Sequence, residues 1–237
     1  MDDGLRRLTT PRAAAVAGIL FALLFTASLV LLRTAVPADP FAGTGWIDAG
    51  RTRIRVAVAL VPFAGIAFLW FMAVIRDRLG EHEDRFFATV FLGSGLVFLA
   101  MVFVATAIAG AIVAGAAVQE AQGYRPDVVQ FGRLIMLQVS NVYALRMAGV
   151  FMVSLATIWL RTGLLPRWLA VLSYAGALTL LTVVSLSLWV VLVFPAWALI
   201  VSVLLLVRRD GGSQPTPAPD PGRAPVVRRR RVWERLR

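Results

Sequence analysis

The sequence predicts an all-α fold, a polytopic membrane helix bundle of six transmembrane helices, and three observations predict it. Of 237 residues, 59% are hydrophobic and only 16% charged, whereas charge runs near a quarter in an average soluble domain. Several apolar runs reach the ~20 residues that a helix rising ~1.5 Å per residue needs to cross a ~30 Å hydrocarbon layer. In lipid the backbone of such a run can satisfy its own polar groups only as a helix. Most arginines outside the C-terminal tail flank these runs, as topology-setting cations do.

Residues 1–12 form a short N-terminus carrying Arg6, Arg7 and Arg12, followed by a first apolar run, 13–32. The run is longer than the apolar core of a signal peptide and no small-x-small site ends it, so it reads as a retained helix. A Pro/Gly/Asp-rich loop leads to the second helix, 56–75, in which Pro62 is expected to kink the start. The ionic stretch Glu81, His82, Glu83, Asp84 precedes a third run, 86–118. Its acidic residues complement a helix N-terminus. One His with adjacent carboxylates defines no coordination geometry, so no metal is expected.

That third run would make ~50 Å of helix, and the fourth, 133–160, continues a helical segment that starts at Asp127. Helices 3 and 4 are therefore expected to be long and to protrude as a hairpin with its tip at 123–126. Small residues along helix 3, Gly93, Gly95, Ala107, Gly110, Ala111, Ala114 and Gly115, permit close helix contact. The final run, 168–207, would span ~60 Å as one helix, so it must be two. Ser185, Ser187 and Trp189 place the turn, giving 168–185 and 189–207. Trp70, Trp159, Trp168 and Trp189 are expected at the membrane interfaces.

Orientation follows from arginine placement, because cytoplasmic segments carry the excess. With six crossings both termini share one side, and 17 arginines fall on that side against 6 opposite, nine of the 17 lying beyond Val207. The expectation is a multi-pass protein of the cell (inner) membrane with a cytoplasmic N-terminus and C-terminus. Residues 208–237 are Pro-rich, then Arg-rich, and are expected to be a disordered cytoplasmic tail. Arg228, Arg229, Arg230, Arg231 and Trp233 could hold it on an anionic leaflet, at ~1 kcal/mol per arginine; the alternative is a solvated tail that only fixes topology. The net charge of +11 reads as this membrane flanking, not as a nucleic-acid surface.

Composition removes several chemistries. There is no Cys and no Lys, and His82 stands alone, which excludes disulfides, thiolate metal sites, a Cys nucleophile and a Schiff-base lysine. No Asp or Glu falls in the central part of a span, against a carboxylate proton relay. No HExxH motif, Walker loop or Ser/His/Asp set is evident. No catalytic residue and no cofactor are expected.

One cation lies inside a span, Arg146. If helix 4 leaves the membrane at 159–161, Arg146 sits only ~8 Å below the opposite boundary and can snorkel out. On a helical wheel it lies about 60° from Tyr143 and 80° from Gln138, an arc expected to face the bundle interior at ~100° per residue. Arg146, Tyr143, Gln138 and Asn141 are therefore the candidate ligand-binding residues. The structural alternative is that Arg146 caps carbonyls or pairs with Asp48, Glu120 or Asp127.

The stretch 66–71 running into Arg76-Asp77-Arg78 and Glu83-Asp84-Arg85-Phe86-Phe87-Ala88-Thr89, with Arg161-Thr162-Gly163-Leu164-Leu165-Pro166-Arg167-Trp168-Leu169, resembles an uncharacterised family of six-helix bacterial integral membrane proteins. The likeness covers most of 13–207. It implies the topology and supplies no site. The leading expectation is a non-enzymatic membrane protein with a structural, lipid-binding or partner-binding role, membrane lipids and a protein partner or second copy being the candidate partners. The rival is a channel or carrier for a small anion or amphiphile, with Arg146 as the recognition group.

Overall fold

The computed structural model describes residues 3–37, 39, 42–79, 85–119, 125–163, 166–182 and 188–207. Among these there is no strand, and nearly every residue is helical. The elements are α1 (Asp3–Ala35), α2 (Trp46–Leu79), α3 (Arg85–Gln119), α4 (Pro126–Gln138), a π-helical turn (Val139–Ala144), α5 (Leu145–Thr162), α6 (Arg167–Thr182), a 3-10 turn (Leu188–Leu192) and α7 (Val193–Val207). The acidic cluster 81–84, the hairpin tip at 123–124, Glu120, Ser185, Ser187 and the tail with Arg228–Arg231 and Trp233 lie outside the described residues.

Local chemistry sets the visible helix ends. Asp48 sits in the first turn of α2, where a carboxylate meets unpaired backbone N–H groups. Pro126 opens α4, a position whose missing N–H has no intrahelical partner anyway. Gly163 ends α5 with φ 65°, and its N–H donates to the Trp159 carbonyl at 3.0 Å. Without a Cβ it adopts that left-handed conformation at no steric cost.

Five segments are long and apolar enough to cross a membrane: Ala15–Ala35, Trp46–Asp77, Phe86–Ala116, Pro126–Thr162 and Trp189–Val207. Phe63, Phe86, Val171 and Leu178 are each more than 60% exposed, a girdle that suits lipid and not water. These features make the chain a multi-pass membrane protein. The apolar helix α6, 16 residues, is shorter than the others, ~24 Å of rise.

Chain reversals follow from side-chain pairs. Ser28 Oγ donates to the Ala57 carbonyl, aligning α1 with α2. On α6 and α7, Trp197 Nε1 donates to Ser173 Oγ at 2.8 Å, while a Cβ on Gly176 would lie 3.5 Å from Val193. Those two pairs run in opposite directions along the chain, so the final apolar run folds back on itself. The α-helix resumes at Val193, four residues later than the sequence reading placed it, because residues 188–192 wind as 3-10.

An aromatic core fills the bundle. Phe68 lies 4.8 Å from Phe21, 5.4 Å from both Phe98 and Phe151 and 5.9 Å from Phe194, between ring centroids. Tilted and edge-on pairs of this kind are favoured by the ring quadrupoles. Trp159 belongs to this core: it is 4% exposed and stacks 6.2 Å from Trp197, so its assignment as an interface anchor is corrected. Trp70, Trp168 and Trp189 are more than half exposed.

A second core joins the end of α1, the start of α2, the later half of α3 and α4, through Ala35, Ile47, Ile54, Ala109, Val113 and Met136. A Cβ on Gly132 would lie 3.3 Å from Ile112 and 3.9 Å from Ile108, so α4 packs closely on α3.

Candidate functional site

The two cores meet around the π-helical turn. Ser140 and Asn141 lie within it, residues whose short polar side chains compete with the backbone for hydrogen bonds and weaken an α-helix. Ser140 Oγ turns back to the Leu137 carbonyl at 3.3 Å. A single wide turn of this type is frequent at functional sites, because it re-aims side chains that a regular helix would direct elsewhere.

Beside the turn lies a cavity of about 90 Å³ between α1, α3 and the π-helical residues. Its walls are mostly apolar, among them Phe25, Leu29, Phe98, Val102 and Val191. Five polar residues also line it, Ser28, Thr106, Ser140, Asn141 and Arg33. The three hydroxyls are engaged by main-chain carbonyls: Ser28 with Ala57 at 3.0 Å, Thr106 with Val102 at 2.8 Å, and Ser140 with Leu137. Arg33 is the charged group of the cavity.

Arg33 stands in the last turn of α1, partly buried, and its Nη2 donates to Asn141 Oδ1. No carboxylate pairs with it among the described residues. A guanidinium removed from water without an anion is costly, since a neutral amide oxygen offsets only part of the lost hydration. Arginine keeps its charge at any physiological pH, so protonation change gives no relief. The arrangement is a fixed cation at one end of an apolar cavity, open to an anion.

Above it, Arg133 on α4 is 3% exposed and donates from Nη2 to the carbonyls of Pro37 at 2.8 Å and Asp39 at 2.7 Å. Its Nε has no hydrogen-bond partner among the described residues. The clamp holds the segment after α1 over the cavity, and Val36 and Pro37 are among the lining residues.

Of the four sequence-predicted residues, only Asn141 lines the cavity. Gln138 and Arg146 are exposed and Tyr143 is 53% exposed, so the expected inward arc is corrected. Two causes act. The π-helical turn lies between Gln138 and Arg146, and its wider turn breaks the 100° phase on which the wheel depended. On α5, moreover, Ala148, Gly149, Phe151, Met152, Leu155 and Ala156 take the interior, because helices in lipid associate through small residues and close packing more than through polarity. Arg146 then falls on the outer stripe with Val150, Val153 and Thr157. Its suggested partners are engaged elsewhere or undescribed: Asp48 pairs with Arg51 at 2.7 Å, Asp127 lies 3.7 Å from Arg125, and Glu120 is outside the described residues.

Arg33 and Arg133 were counted in the sequence only as flanking cations. A signal was present for Arg33, which directly follows an unbroken apolar run and so had to fall within a helical last turn.

No family model, curated protein or solved structure matches the chain.

Proposed function

We propose that this chain is a non-enzymatic, six-crossing protein of the cell membrane that binds an amphiphile with an anionic head in the Arg33 cavity. The observation that carries the reading is Arg33 itself, a partly buried guanidinium that lines an apolar cavity and, among the described residues, donates to the neutral amide of Asn141 and to no carboxylate. Recognition of an anion by a guanidinium fork, with an apolar body behind it, is the usual economy of small-ligand sites. The rival expectation of a carrier for a small anion or amphiphile takes a changed form here, with Arg33 in the role first given to Arg146.

Six crossings are supported by the antiparallel pairing of α6 with α7, which sets one face of α6 against the bundle and leaves Val171 and Leu178 of the other face to lipid. Cytoplasmic termini are supported by the arginine distribution. The α3–α4 pair extends past the outer boundary in this reading: Arg51, Arg53 and Arg55 mark that boundary on α2, and the second core runs across it, with Ile54 at its level and Ile47 beyond.

Native mass spectrometry of the full chain extracted in mild detergent tests the binding role. The parent protein is expected to retain an anionic amphiphile through collisional activation, and Arg33→Gln to lose it. Equal retention by both would overturn the reading.

A further inference from the structure

We infer that the lipid-facing groove between α2 and α3 binds a phospholipid with an ammonium head, its phosphate on Arg76, its ammonium on Asp77 and one acyl chain against Leu69, Ala73, Leu92 and Leu96. The site does not depend on the Arg33 cavity and lies toward the other end of the bundle. Arg53 Nη1 donates to the Thr34 carbonyl at 2.8 Å, which sets Arg33 beside the early part of α2, whereas Arg76 stands near its end.

The groove exists because of side-chain size. Met72 is 2% exposed and faces Gly95, whose missing side chain lets the two helices approach; a Cβ there would collide with the Met72 sulfur. One residue on, Ala73 is exposed and presents only a methyl group, so the surface dips between Leu69 of α2 and Leu92 and Leu96 of α3. The open groove measures about 620 Å³, within the ~300–1,000 Å³ of small-ligand sites and well above the ~150 Å³ that holds one benzene.

Its depth in the membrane follows from the spans. The apolar stretch of α2 ends at Asp77 and that of α3 begins at Phe86, so Arg76 and Asp77 stand at headgroup level. Leu69 lies seven residues from Arg76 along α2, ~10 Å into the hydrocarbon. Leu69 and Leu96 are 39% and 45% exposed, so an acyl chain reaches the groove sideways from its own leaflet. Beyond Leu69 the lipid face of α2 continues with Ile66 and Phe63, both more than half exposed, and the remainder of the chain runs along it.

The head follows from the two charges at the mouth. Arg76 and Asp77 both line the groove, both are exposed, and neither pairs with another side chain among the described residues. A guanidinium fork matches two phosphate oxygens, and a carboxylate accepts N–H bonds from a primary ammonium, as it does from lysine. One cation beside one anion thus complements a head that carries both. A glycerol head offers Asp77 only the like charge of its phosphate, which repels it. A choline head has no N–H to donate, and no aromatic ring lines the groove among the described residues to hold its methyl groups.

The test is native mass spectrometry of the full chain, delipidated in mild detergent and titrated with dioleoyl phospholipids that differ only in the head: ethanolamine, choline or glycerol. The parent is expected to bind the ethanolamine lipid about fivefold more tightly than either of the others, the upper range for one exposed ion pair. Asp77→Asn should abolish the preference over the choline lipid, and Arg76→Gln should weaken all three. Ala73→Trp, a change at an exposed position, should fill the groove and lose ethanolamine-lipid binding while the unfolding midpoint holds, which separates occlusion from misfolding. Equal or tighter binding of the choline or glycerol lipid by the parent would overturn the inference. So would an ethanolamine preference that survives Asp77→Asn, or parent-like binding in Arg76→Gln or Ala73→Trp.

Discussion

Gly18 on α1 and Gly93 on α3 are both mid-helix glycines with opposite surroundings. A Cβ on Gly18 would overlap Ser202 and lie 2.7 Å from the Phe71 ring, whereas one on Gly93 would meet nothing within 4 Å. Gly18→Ala should therefore cost about 1–3 kcal/mol through overpacking. Gly93→Ala should stabilise by up to about 1 kcal/mol, since alanine loses less backbone freedom in a helix. Unfolding curves in detergent measure both, and a destabilised Gly93→Ala would count against the packing described. At this scale the sequence was only partly legible. It offered Gly93 and Gly95 as equivalent small residues, yet Gly95 faces Met72 and Phe151 while Gly93 faces outward. Likewise Trp159 carries the same local signature as Trp168, an aromatic beside an arginine at the end of an apolar run, and is buried because Trp197 from a distant helix stacks on it. Which neighbour arrives is tertiary information that no window around the residue contains.

Elements were more legible, because helix existence in this chain depends on run length and on the solvent. The continuous helical path Pro126–Thr162 and the reversal within 168–207 follow from counting residues against the hydrocarbon thickness. The π-helical turn does not, since its extra residue leaves composition and apolar content unchanged. It can be tested by removal. Deleting Val142 should convert the turn to regular α-helix and rotate α4 by about 100° relative to α5. Ile112→Cys paired with Gly132→Cys reports the rotation, because Gly132 faces Ile112 across α3 and α4 and the chain has no cysteine of its own. A disulfide is expected in the full-length background and not in the deletion. Cross-linking in both would show that the turn does not set the phase of α4.

Across the whole molecule, aromatic packing joins the helices, with Phe68 of α2 meeting rings from α1, α3, α5 and α7. Cysteine-free background makes the proposed six-crossing topology directly measurable. Single substitutions Thr44→Cys and Asp127→Cys should react with an impermeant maleimide from one side of the membrane, and Asp77→Cys and Ser213→Cys from the other. Labelling of Asp77 and Ser213 positions from opposite sides would reduce the count to five. The candidate site was legible at this scale only in kind: the sequence pointed to an arginine near the outer end of a span with Asn141 close by, and the arginine in the structure is Arg33, brought to Asn141 across 108 positions of chain.

The second core sets an order on biosynthesis. Its first contributors, Ala35, Ile47 and Ile54, leave the ribosome long before Met136, the last. At about 5–20 residues per second, the stretch from Ile47 to Met136 takes roughly 5–20 s to synthesise. Throughout that interval the early helical pair waits with an uncovered apolar flank beside Arg33, and it is closed only when α4 arrives. Completion of the Arg33 cavity comes later still in the life of the nascent chain, because its walls include Leu145 and Val191, which follow α4.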